Sequence, residues 1–273
     1  MMLNSRSLAV AAVLAVLAAF VVQVPSRAAD GPKVSTFAPA EDLARQADKY
    51  LDSLKNTVAS KEEYEDSEGK VGREANTLAI IDLALGLHDK DNKYKDKAPA
   101  LIRAAQDVAA TDLIEAAQDM AKAKKYAAAK KAVAALDKVA SADGKPGGNL
   151  KWEKVASLPD LMKQVPMVNT KLKFALSKTN FKKKAKDSAG YTAVIAAIAQ
   201  GVIADTSATK NAEQVKLWQK FSKAMRDHAG AANAAIHQGD PAATDKAMTK
   251  LNQSCEDCHA VFKPGVAANG KEK

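Results

Sequence analysis

The sequence predicts an all-α protein built as two tandem antiparallel four-helix bundles, and three observations carry that prediction. Alanine and lysine are abundant, aromatics few, glycine and proline sparse, and no run alternates in the β-branched manner of a strand, which favours helices throughout. The stretch Ser-Ala-Asp-Gly-Lys-Pro-Gly-Gly at 141–148 breaks the helical periodicity near the middle. What lies on either side reads as one unit written twice. Asp42-Leu43-Ala44-Arg45-Gln46 parallels Asp160-Leu161-Met162-Lys163-Gln164, and Asp66-Ser67-Glu68-Gly69 parallels Asp187-Ser188-Ala189-Gly190. Ala127, Ala128, Lys131, Ala132 and Leu136 return as Ala242, Ala243, Lys246, Ala247 and Leu251, each 115 positions further on.

Residues 1–29 are excluded from the fold. Arg6 gives a positive start, Leu8 to Val22 an apolar run and Ser26-Arg27-Ala28 a small-x-small cleavage pattern, together a secretory signal peptide. The apolar run of about 15 residues falls short of a membrane span, so an uncleaved anchor is the weaker alternative. The expected organisation is therefore a signal at 1–29, a first four-helix domain at 34–141, a linker at 142–149, a second four-helix domain at 150–264 and a tail at 265–273.

In the first domain, helices are expected over 40–59, 69–88, 98–122 and 126–139, with Ser60 and Glu63 as a capping box. The second shows cleaner stripes. Leu158, Leu161, Val165, Val168, Leu172 and Ala175 recur in steps of three and four, as do Tyr191, Val194, Ile195, Ile198 and Val202 in the next helix. Trp218, Phe221, Met225, His228 and Ala232 mark a third, and Asp240-Pro241 opens the last with an N-cap and a first-turn proline. That last stripe runs Met248, Leu251, Cys255, Cys258, Phe262, so it places both cysteines of the chain on the core-facing seam.

Cys255-Glu256-Asp257-Cys258-His259 is a C-x-x-C-H sequence, the attachment site of a c-type haem: two thiols at i and i+3 project from one helix face, and the following histidine ligates iron. Other uses of the pair fit less well. A disulfide across a continuous helix is strained, zinc needs two more clustered ligands, and a thioredoxin-like pair needs a βαβ setting. Export agrees with covalent haem attachment.

Residues 150–263 resemble the class II cytochromes c, the c-prime group and its low-spin relatives, in which C-x-x-C-H closes the last helix of a four-helix bundle. The ending Cys255-Glu256-Asp257-Cys258-His259-Ala260-Val261-Phe262-Lys263 is similar to that family's C-x-x-C-H-x-x-[FY]-[RK], and Asp160-Leu161-Met162-Lys163 resembles its first-helix segment. The resemblance implies one covalent haem c on Cys255 and Cys258, with His259 as proximal and Met162 as distal iron ligand. Ala44 stands opposite Met162 in the first half, and the positions opposite Cys255, Cys258 and His259 are Ala140, Asp143 and Gly144, which makes that half a haem-free sister. Pro166, four residues past Met162, removes a helical hydrogen bond and invites a kink; Met167 is the fallback ligand. The family's pairing through its first two helices further implies an intramolecular pseudo-dimer or a homodimer.

The expected role is that of a periplasmic monohaem electron carrier, not an enzyme, meeting a redox partner protein. A five-coordinate, c-prime-like protein open to NO or CO is the alternative, and a structural or partner-binding helical protein the third reading. The first half carries a small excess of acids and residues 149–273 a large excess of Lys and Arg. With no aromatic interleaving and no nucleic-acid motif, this points to an acidic protein partner or to the acidic sister half. Lys171, Lys173, Lys178, Lys182, Lys183, Lys184 and Lys186 form a solvated face able to steer such a partner. His228 is read as a core residue, and His88 and His237 as solvated helix-end residues. No transmembrane span is expected in the mature chain.

Overall fold

The α-helix accounts for all the regular structure of the described residues apart from short 3₁₀ turns. The computed structural model describes residues 31–67, 69–113, 119–144 and 149–263; the expected signal peptide, half of the linker and the tail lie outside them. In chain order the helices are α1 Ala40–Thr57, α2 Lys61–Glu65, α3 Lys70–Gly86, α4 Ala98–Ala110, α5 Asp119–Ser141, α6 Leu158–Ala175, α7 Ala185–Val202, α8 Ala212–His237 and α9 Pro241–Phe262. No described helix is long and apolar enough to cross a membrane.

Local chemistry sets most of the boundaries. Ser60 accepts a hydrogen bond from the Glu63 amide at 3.1 Å and starts α2, the expected capping box. Asp240 caps α9 by accepting from the Ala243 amide at 3.0 Å, with Pro241 in the first turn. The expected helix at 98–122 stops earlier, at Ala110. There the Thr111 hydroxyl donates to the Val108 carbonyl, and the Asp112 carboxylate turns away to accept from the Gly72 amide at the start of α3. Short polar side chains that bond the backbone in this way compete with the helix. The parallel drawn between residues 66–69 and 187–190 also fails structurally, because Gly69 is a left-handed N-cap (φ 68°) whereas Gly190 lies inside α7.

Within the first half α3 packs on α1 and α4, and α5 packs on α4 and α1; in the second, α7 packs on α6 and α8, and α8 on α9. The halves then exchange neighbours. α1 lies against α7, α3 lies against α6, and α3 and α7 meet each other, so the described residues from Pro32 onward form one compact unit. This accounts for the burial of α3 and α7 on nearly every side, from Val71 to Leu85 and from Ser188 to Val202, where a bundle helix ordinarily buries one stripe. At their crossing Gly201 abuts the Ile80 side chain so closely that any β-carbon there would collide with it.

Polar contacts fix the register of the seam. Buried Asp42 of α1 pairs with Arg45 and accepts from Asn233 Nδ2 and His237 Nε2 of α8, each at 2.8 Å. Gln164 of α6 donates to the Tyr50 hydroxyl at 2.8 Å and accepts from Arg73 Nε at 3.1 Å. Asn76 of α3 donates to Asp160 at 3.0 Å while accepting from the Ser157 amide at 2.8 Å.

Of the two histidines expected to be solvated, one is not. His88 is 2% exposed; its Nε2 donates to the Ala38 carbonyl at 3.0 Å and its Nδ1 accepts from the Lys90 amide at 2.9 Å. His237 is exposed as expected, with its Nε2 held by Asp42.

Candidate haem site

α9 brings Ser254, Cys255, Cys258 and His259 to one side of a cleft whose other walls come from three helices. α6 supplies Met162, Val165 and Pro166, α7 supplies Val202, and α8 supplies Trp218, Phe221, Ser222 and Met225. The cleft and the solvent space at its mouth together span about 500 Å³, and the lining is predominantly apolar. A larger cavity of about 660 Å³, beside Tyr64, Gly69 and Asp112, contains none of the expected site residues.

The cleft exists because the second half is splayed where the first is closed. α1 packs on α5, but α6 and α9 make no comparable contact among the described residues and are bridged by the Asn169–Asn252 hydrogen bond at 3.4 Å. In the first half, Tyr126 of α5 packs on Tyr64 with ring centres 5.6 Å apart and donates to the Val58 carbonyl at 3.3 Å. The floor of the second-half cleft is rigid: Trp218 Nε1 donates to the Val202 carbonyl at 2.8 Å, and Phe262 meets Trp218 edge-on at 5.2 Å and Phe221 at 6.4 Å.

Cys255 and Cys258 are unbonded to each other and half-buried. Burial pushes both thiols up to about 11. They therefore remain protonated at neutral pH, unlike the low-pKa thiolates of redox-active pairs. Neither ring nitrogen of His259 is hydrogen-bonded among the described residues, and its Nδ1 is a buried polar atom without a partner. An unmet buried nitrogen is costly and calls for an explanation. Met162 is half-buried against the core and turned to the same cleft.

These features match the needs of a c-type haem: two protonated thiols one helical turn apart, an uncommitted histidine beside them, a thioether on the facing helix and an apolar, aromatic-lined gap. Among the described residues no group of three or more His, Cys, Asp or Glu side chains is placed to hold a metal. The fallback Met167 is 43% exposed and outside the cleft, and His228 does not line it. α6 runs unbroken through Pro166, which itself lines the wall; lacking an N–H, it leaves the Met162 carbonyl without its usual helical donor. Met225, read from the sequence only as part of a core stripe, is a second cleft thioether. Its position four residues past Phe221 and seven past Trp218, on one helix face, was the available signal.

The comparisons add no relative: no family model matches the chain, and neither a curated protein nor a solved structure matches it.

Proposed function

We propose that the chain is an exported monohaem c-type cytochrome that carries electrons, with one haem c held by thioethers at Cys255 and Cys258 and by His259 and Met162 as axial ligands. The observation that carries this reading is the convergence of both thiols, the unpaired His259 nitrogen and the Met162 thioether on one apolar cleft. When bound, the haem supplies one-electron redox chemistry whose potential is set by axial ligand, burial and neighbouring hydrogen bonds. The chain's own residues do the rest. Cys255 and Cys258 fix the group's position on α9, Met162 offers a soft neutral sulfur from α6, and Trp218, Phe221 and Phe262 keep water out.

The exchanged helix neighbours favour a wider reading, in which the two halves are tandem four-helix bundles joined as a covalent pseudo-dimer through their first two long helices. The lysine-rich run has a different place in this scheme from the one the sequence suggests. It surrounds the α6–α7 turn, while the cleft lies at the start of α6 and the end of α7, about 25 Å away along α7. Lys220 and Lys223, exposed on either side of Phe221 and Ser222, are better placed to meet an acidic redox partner at the cleft.

The test is the intact mass and spectrum of protein made in cells competent for haem attachment. A mass equal to the processed polypeptide alone overturns the proposal. A haem-bearing protein whose ferric spectrum is high-spin, without the weak far-red band of a methionine–iron bond, transfers it to the gas-binding alternative.

A further inference from the structure

A second cavity lies in the seam between the halves, far from the cysteines. Together with the solvent space at its open mouth it spans about 380 Å³, between α1, α3, α6 and α7. Two of its residues each keep a polar atom buried and unpaired: Gln46, 2% exposed, at Nε2, and Glu74, 7% exposed, at Oε2. Two lysines stand at its edge. Lys171 is exposed and makes no ion pair within the described residues; Lys49 is tied to Asp187 at 2.5 Å and lies 5.7 Å from the centre of the Tyr191 ring.

The charge order is thus an acid and an amide inside, cations outside, and aromatic walls from Tyr50 and Tyr191. A lone anion entering would meet the buried Glu74 carboxyl, and a lone cation would pass Lys171, with Lys70 and Arg73 also acting on Glu74. A molecule with a cationic end leading and an anionic end trailing satisfies both. In the register that sets Asp42 opposite Asp160, Tyr50 falls opposite Val168 and Ser53 opposite Lys171, and all four line the cavity. The polar asymmetry is therefore a difference between the halves at equivalent positions, and neither half builds the site alone.

We infer that this seam cavity binds a small zwitterion of the amino-acid class, its ammonium group on Glu74 and its carboxylate toward Lys171 and the Gln46 amide. Calorimetric titration of the full-length processed protein, supported by thermal shifts, tests it with glycine, β-alanine and γ-aminobutyrate against methylamine and acetate. The readout does not depend on haem, so it separates this inference from the proposed electron carriage. At least one zwitterion is expected to bind once per chain, with the single-charged probes silent. Glu74→Gln, nearly isosteric, weakens that binding about tenfold or more, and Lys171→Ala, a surface change with little effect on folding, weakens it by up to about fivefold. Absence of saturable heat for all three zwitterions leaves a water-filled cavity and overturns the inference, as does acetate binding equal to glycine or an unchanged affinity in both variants.

Discussion

Asp82 of α3 is fully buried, and neither carboxylate oxygen has a hydrogen-bond partner. Desolvation alone raises its pKa well above the ordinary carboxylate range. The folded protein therefore holds this proton at a pH where the unfolded chain has released it. The sign follows from linkage: the stability Asp82 allows is fully present below the unfolded value near 4 and is lost as pH rises toward the folded value, at about 1.4 kcal/mol per pH unit. Asp82→Asn is neutral at every pH and of almost equal volume, so it carries a constant cost for its buried amide and no slope. Urea midpoints at pH 5, 6 and 7, with unchanged m-values, should show the variant gaining on the wild type at each step. Tyr94 shares the surroundings, its phenol raised first by burial and then by its hydrogen bond to Asp48, with Asp82 and Asp52 adding to the shift. Its titration begins far above this pH range and leaves the slope to Asp82. Parallel curves for the two proteins would refute the reasoning, because they would mean that Asp82 is ionised and paired in the fold.

Three further outcomes are expected. Asp42→Ala strips the charge that holds Arg45, Asn233 and His237 at the seam and should cost about 3 kcal/mol or more in denaturant unfolding, the usual loss when a buried pair is broken from one side. Met162→Leu keeps the packing volume, so stability should change by less than about 1.5 kcal/mol, while the ferric spectrum loses its methionine–iron signature. Ser60→Ala removes the α2 cap and should cost about 1 kcal/mol with no change at the cleft.

What the sequence made legible was whatever is decided within one helix. The period of apolar residues from Leu158 to Ala175 is a local property, as is a cap such as Asp240 or Ser60, and the C-x-x-C-H run carries its own chemistry. The contacts that escaped were set by topology. His88 sits at a helix end, where histidines are usually wet, and only the approach of the Ala38 carbonyl from 50 residues away buries it. Asp112 reads as a solvated helix residue until the start of α3 is brought beside it. The near-total burial of α3 and α7 was visible as runs such as Leu78-Ala79-Ile80-Ile81 and Val194-Ile195-Ala196-Ala197-Ile198. Their apolar excess over a single stripe was the one sequence signal that these two helices face partners on both sides.

That excess makes the first half necessary to the second. Ser188 to Val202 is buried on nearly every side because α8 and α6 cover one part of α7 while α1 and α3 cover the rest, with Gly190 against Gln46 and Gly201 against Ile80. Residues 150–263 made alone keep the first set of neighbours and lose the second. The exposed strip is an apolar, small-residue face able to accept another helix closely, and the nearest match for α1 and α3 is α6 and α7 of a second copy. The truncated half should accordingly sediment as a dimer at micromolar concentration, whereas the full chain sediments as a monomer. A truncated half that stays monomeric, and unfolds at the same urea concentration as the intact protein, would show that α7 does not depend on the first half for cover.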